Sequence, residues 1–195
     1  MIISKRKLKG VLEIDLKPQF DERGFFMRTY DDKILEKFNI SKNWVQENQS
    51  RSKQKGIIRG LHFQFPPFCE AKLIRVTSGT IYDVIVDLRK ESPTFGKWDS
   101  LELSDKNYKC IFIPRGFAHG FCTLSDQCDV LYKHDNYYSP EHEEGIIWND
   151  KDLKIDWPIQ NPKLSSRDQG FMTFQEFVKK YKGINIYKDK ENPNE

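Results

Sequence analysis

Four stretches of this chain place polar, titratable residues where an ordinary β protein carries apolar ones. Arg59-Gly60-Leu61-His62-Phe63-Gln64 sets a histidine in an otherwise apolar strand pattern. Ala71-Lys72-Leu73-Ile74-Arg75 puts Lys72 on the face of Ile74 and Val76, and an inward lysine is costly unless it is paired or used. Ile113-Pro114-Arg115-Gly116-Phe117-Ala118-His119-Gly120-Phe121 surrounds His119 with glycines and aromatics, and Tyr132 shares a strand face with Cys128 and Val130. Each alone has a plain explanation: His62 as a satisfied core histidine, Tyr132 as a buried structural tyrosine. Together they supply an imidazole base, a cation, a second histidine and a phenol, which is the set an enolising site needs in the absence of metal. The base takes a proton from beside a carbonyl, the cation holds the enolate oxygen, and the acid returns a proton. With base and acid on opposite faces of the carbon, the carbon inverts.

Other chemistries find no motif. The chain has no G-x-G-x-x-G after a strand, no G-x-x-x-x-G-K-[ST], no G-x-S-x-G elbow and no H-E-x-x-H pair. A metal set of His62, Glu70 and His119 is conceivable on a small barrel, because two histidines and a carboxylate can hold iron(II).

The elements that must position these residues read mostly as strands. Ile81 to Leu88 alternates, with Tyr82, Val84, Val86 and Leu88 on one face. Residues 72–76 end at Ser78-Gly79, a turn signal that predicts a hairpin with 81–88. Further strands are expected at 8–16, 57–64, 97–103, 109–113 and 128–133. Gly60 inside a strand marks a bulge or a close backbone approach, and without a bulge Arg59 and His62 would point to opposite faces. A helix is expected over 31–38, capped by Asp31 or Asp32, with Ile34, Leu35 and Phe38 as its apolar stripe. Another carries Phe174, Phe177, Val178 and Tyr181 behind a Thr173/Glu176 capping box. Many short strands with Gly and Pro between them predict an antiparallel sandwich or barrel.

Composition bounds the function classes. The 195 residues suit one domain over 1–183 with a polar tail at 184–195, and a net charge of +3 argues against nucleic-acid or membrane-surface binding. No apolar run is long enough to span a membrane, and the N-terminus lacks a secretory core. A cytoplasmic location follows, with Cys69, Cys110, Cys122 and Cys128 as free thiols.

The motifs in their order resemble the dTDP-4-dehydrorhamnose 3,5-epimerase family. The resemblance runs from about residue 8 to 172, through Asp21-Glu22-Arg23-Gly24-Phe25-Phe26, Gln46-Glu47-Asn48-Gln49-Ser50, the four stretches above, Tyr137-Tyr138-Ser139-Pro140, Trp148-Asn149-Asp150 and Leu164-Ser165-Ser166-Arg167-Asp168. It implies a mainly β, cupin or jelly-roll antiparallel barrel with a few short peripheral helices, working as a homodimer without metal or organic cofactor. The partner it implies is a nucleotide-linked 4-keto-6-deoxy sugar, epimerised at C3, C5 or both. His62 then becomes the base, Asp168 the carboxylate that orients it, Lys72 the enolate-stabilising cation and Tyr132 the acid on the opposite face. Arg23, Phe26, Gln46, Asn48 and Arg59 match substrate-binding positions, with His119 in the sugar pocket and Tyr138 near the base. The chain departs from the family pattern at Arg28, where a Glu is usual. Relatives include enzymes that invert one centre and some that use CDP- or GDP-sugars, so the resemblance leaves nucleotide and number of centres open. A non-catalytic sugar-binding cupin would have no need of His62, Lys72, Tyr132 and Asp168 together.

Overall fold

The computed structural model describes residues 1–40 and 43–186. The chain runs β1 (Ile2–Lys5), β2 (Leu12–Asp15), β3 (Gln19–Asp21), β4 (Gly24–Phe26), α1 (Asp32–Glu36), β5 (Gln46–Ser52), β6 (Ile58–Gln64), β7 (Lys72–Ser78) and β8 (Thr80–Asp87). It continues with β9 (Trp98–Ser104), β10 (Lys109–Ile113), β11 (Phe117–Thr123), β12 (Cys128–His134), β13 (Glu143–Gly145), α2 (Ser166–Gln169) and α3 (Phe174–Tyr181). Six strands form one antiparallel sheet in the order β1-β2-β10-β7-β12-β5, and five form a second in the order β13-β6-β11-β8-β9. β3 and β4 make a separate two-stranded arm. This is the mainly β, jelly-roll barrel with small peripheral helices that the sequence predicts.

Residue alternation builds the barrel. Ile74, Val76, Ile111, Ile113, Cys128 and Val130 of the larger sheet meet Ile81, Ile85, Leu101, Leu103, Phe117 and Phe121 of the smaller one in a buried core. The opposite face of the smaller sheet, with Leu61, Phe63, Val84 and Val86, is covered by Leu153, Phe177 and Ile184 of the C-terminal segment. The outer face of the larger sheet, with Leu12, Ile14, Leu73 and Phe112, is covered by Leu35 and Ile40. Strands buried on both faces need apolar residues at most positions, which is why six of the eight residues over 81–88 are apolar, with Asp83 and Asp87 buried among them.

The hairpin predicted at Ser78-Gly79 does not form. β7 pairs with β10 and β12, whereas β8 pairs with β9 and β11, so the chain changes sheets at Gly79. Gly79 has φ +79°, and a Cβ there would lie 2.4 Å from the Gln127 carbonyl oxygen, so the crossing requires glycine. Its N–H donates to Asp105 at 3.0 Å and the Thr80 N–H to Ser125 Oγ at 2.9 Å, satisfying the backbone where the ladder ends.

Three boundaries also differ. The strand expected at 8–16 is confined to Leu12–Asp15, because a turn closed by Val11 N–H on the Leu8 carbonyl precedes it. The helix expected over 31–38 spans Asp32–Glu36, with Asp31 as its cap; Phe38 is exposed and Ile40 takes the buried slot. The polar tail expected from 184 begins with a docked residue: Ile184 is buried, its N–H donating to the Leu88 carbonyl and its own carbonyl accepting from Lys90. Residues 187–195 of that expected tail lie outside the described residues. The Thr173/Glu176 capping box forms as predicted.

Candidate active site

One end of the barrel is packed shut by apolar side chains, and the other opens into a cavity of about 590 Å³. The change occurs within single strands. On β12 the inward series Cys128, Val130 gives way to Tyr132 and His134, and on β7 Val76 and Ile74 give way to Lys72. Cross-strand register brings these residues together: His62 lies opposite His119, Tyr132 opposite Asn48, and His134 opposite Lys72. His62 and His119 stand on the smaller sheet, and Tyr132, Lys72, His134, Gln46 and Asn48 on the larger, so the two walls of the cavity carry different groups.

The bulge expected at Gly60 is present. β6 spends one extra residue against β11, since His119 pairs with His62 and Phe121 with Arg59, and both Arg59 and His62 line the cavity. A Cβ on Gly60, at φ +113°, would come within 2.6 Å of the His119 carbonyl oxygen. The Gly60 N–H left free by the bulge donates to Asp168 Oδ2 at 3.0 Å. Asp168 sits in α2, whose cap Ser165 accepts from the Asp168 N–H at 3.1 Å, and its Oδ1 lies 3.0 Å from His62 Nε2. Burial pushes the Asp168 carboxyl up, but hydrogen bonds from His62 and Gly60 outweigh it and hold the pKa below the usual carboxylate range. An ionised carboxylate can only accept, so His62 donates through Nε2 and keeps its lone pair on Nδ1. Phe171 packs edge-on against the ring at 5.4 Å.

Two further polar contacts fix the floor. Lys72 Nζ is 3.2 Å from Glu70, whose other oxygen accepts from Gln64 at 2.7 Å. His119 Nε2 is 2.7 Å from Asp83 Oδ2, deep in the barrel. Among the described residues, no three His, Cys, Asp or Glu side chains converge as a metal-binding set. At the rim, Tyr138 Oη donates to Glu143 at 2.7 Å and Arg167 reaches the same carboxylate oxygen at 2.5 Å. Arg59 lies beside Ser52, with Nε donating to its Oγ at 3.2 Å.

The cavity thus gathers His62, Lys72, Tyr132, Asp168, Gln46, Asn48, Arg59, His119 and Tyr138. It does not gather Arg23 or Phe26. Both lie on the β3–β4 arm, exposed and outside this chain's cavity, with Arg23 paired to Asp21. Arg28 is also remote, paired with the α1 cap Asp31 at 2.9 Å. Sequence reasoning missed Asp83, His134, Glu143 and Arg167. For His134 the signal was present: extending the strand at 128–133 by one residue puts it on the face of Tyr132.

A family model described as dTDP-4-dehydrorhamnose 3,5-epimerase matches residues 5–176. A relative of that name from Shigella flexneri is 47% identical over 169 residues, 86% of this chain and 93% of the relative. The solved structure of the Bacillus anthracis enzyme of that name, with TDP and PPi bound, superposes with a TM-score of 0.86 at 45% identity, covering 88% of this chain and 98% of that one. The dTDP-6-deoxy-D-glucose-3,5-epimerase of Legionella pneumophila, in complex with dTDP-4-keto-L-rhamnose, gives 0.88 at 39% identity, covering 94% and 97%. With the motif match running through almost the whole barrel, the chain belongs to the dTDP-4-dehydrorhamnose 3,5-epimerase family of sugar-nucleotide isomerases.

Proposed function

We propose that this enzyme takes dTDP-4-keto-6-deoxy-D-glucose and inverts it at C3 and C5 to dTDP-4-keto-L-rhamnose, a step of deoxysugar synthesis for surface polysaccharide such as O-antigen. The observation that carries the reading is the opposition of His62 and Tyr132, which enter one cavity from facing sheets. His62, held by Asp168, removes the proton beside the ketone, and the electron pair moves onto the C4 oxygen. Lys72 stabilises that enolate oxygen, so the charge needs neither metal nor organic cofactor. Tyr132 delivers its phenolic proton to the carbon from the other face, and solvent restores both groups. No electrons are gained or lost. The second centre is inverted the same way after the sugar turns in the cavity.

Arg59, Gln46 and Asn48 hold the nucleotide diphosphate, with Tyr138 at the rim and His119 below the sugar. A planar guanidinium suits the paired phosphate oxygens. The choice of dTDP is supported by the ligands of the B. anthracis and L. pneumophila relatives. The enzyme acts in the cytoplasm as a homodimer, and its four buried cysteines, held as thiols, suit a reducing compartment. The test is incubation in D2O with dTDP-, CDP- and GDP-linked 4-keto-6-deoxyglucose, with deuterium at C3 and C5 read by mass and NMR. Double exchange with an L-configured product from the dTDP sugar is expected. Exchange at a single centre, or preference for the CDP or GDP sugar, overturns the assignment.

A further inference from the structure

Beside the groups that the proposed reaction uses, the cavity wall carries one more imidazole. His134 ends β12 on the inward face, two residues past Tyr132, and its ring stands edge-on to the Tyr132 ring at 5.8 Å between centroids and 82° between planes. Its Nε2 lies 3.5 Å from Asn48 Nδ2 on the neighbouring strand β5. On its other side it is paired in register with Lys72 of β7. It lines the cavity and takes no part in the apolar core below.

We propose that His134 is a positioning residue for the reprotonation half of the reaction, fixing the phenol of Tyr132 and turning the Asn48 amide toward the bound sugar nucleotide. The inference rests on the functional reading above. An amide nitrogen can only donate, so the contact with Asn48 requires an unprotonated Nε2, that is, a neutral ring. Burial, followed by the charges of Lys72 and His119, pushes the His134 pKa down to about 3. A neutral ring here leaves the enolate-stabilising cation to Lys72 and adds no second charge against it. An edge-to-face neighbour also confines the phenol better than a flexible aliphatic side chain would, and a proton donor misplaced by a fraction of an ångström loses rate steeply.

The test compares wild type, His134→Ala, His134→Phe and the pair His134→Phe/Asn48→Ala with dTDP-4-keto-6-deoxyglucose in D2O. The readouts are KM, kcat and the ratio of deuterium washed into recovered substrate to epimer formed. His134→Ala frees the phenol, and the wash-in ratio rises roughly 2- to 12-fold, the size of one aromatic pair contact. His134→Phe keeps a ring beside Tyr132, so the ratio stays near wild type while KM rises roughly 2- to 12-fold for the lost Asn48 hydrogen bond. In the double variant the two KM effects fail to add, as they share one contact. A purely structural residue would lower kcat for wash-in and product alike, and that result, or no change in either variant, overturns the proposal. Should His134→Ala fold poorly, the KM arm of His134→Phe and its double variant decides alone. Absence of wash-in from wild type with every sugar tests the functional reading instead, and is distinct because it precedes any variant.

Discussion

A lone pair confined to one nitrogen gives His62 its direction. Because the ionised Asp168 engages Nε2, only Nδ1 remains to accept a proton. His62→Asn therefore abolishes deuterium exchange beside the ketone while leaving dTDP binding, measured by calorimetry, within a few-fold of wild type; near-normal exchange would refute the base assignment. Asp168→Asn removes orientation and not the base, so it lowers kcat by about 10²- to 10⁴-fold, less than His62→Asn does. Tyr132→Phe keeps the ring and its packing, so the fold survives and protons still leave. That variant shows wash-in with little epimer, or stops after one centre; if it loses exchange as fully as His62→Asn, base and acid are not divided as proposed. Lys72 supplies the positive charge, so enzyme stripped with EDTA keeps its full rate. Recovery of lost activity on adding iron or zinc would count against this.

Elements set these side chains by register, and the decisive irregularity is the bulge at Gly60. Without it, Arg59 and His62 could not share the cavity, nor would the Gly60 N–H be free for Asp168. Gly60→Ala puts a Cβ against the His119 carbonyl in a backbone region that disfavours side chains; it costs at least about 2 kcal/mol in denaturant melts and abolishes turnover. The bulge was half legible in advance: a glycine inside a strand marks a bulge or a close backbone approach, and Gly60 turns out to be both. The crossing at Gly79 was not legible. A Ser-Gly turn looks the same whether it returns to the same sheet or leaves it, and long-range pairing decides. β5 was missed for a related reason: all seven residues from Gln46 to Ser52 are polar, and its inward Gln46 and Asn48 serve the cavity and not a core. Beyond the barrel, buried Asp87 at the end of β8 accepts from Arg89, Ser92 and Thr94, tying down the turn before β9. Burial raises its pKa, but these donors outweigh it and leave the carboxyl below its ordinary range. A lowered folded pKa means its stabilisation is complete above the unfolded value of about 4 and is lost as the pH falls through the folded value. Asp87→Asn thus costs about 1.5–3 kcal/mol at pH 7, with the gap to wild type narrowing below pH 4 in thermal melts.

At the scale of the whole molecule, two predicted binding residues stand away from the cavity. The β3–β4 arm carries Arg23 and holds Phe20, Phe25 and Phe26 at 66%, 54% and 70% exposure, an aromatic surface of a kind that water does not stabilise. The N-terminal strands offer a partner no open apolar face, since β1 pairs with β2 and Leu12, Ile14 and Leu16 are buried. The arm does. In the proposed homodimer a second copy seated on it covers the phenylalanines and brings Arg23, which does not line its own chain's cavity, to the neighbour's nucleotide. Sedimentation at micromolar concentration should give twice 23.1 kDa. Arg23→Ala homodimers, lacking the partner's guanidinium, should bind dTDP weakly, and His62→Asn homodimers should be inactive. Mixing the two variants after partial unfolding then restores activity, because each heterodimer holds one cavity with its own His62 and the partner's Arg23. Random pairing makes about one quarter of all sites intact, and about that share of wild-type rate should return. A mixture no more active than its Arg23→Ala component would show that Arg23 serves its own chain or none.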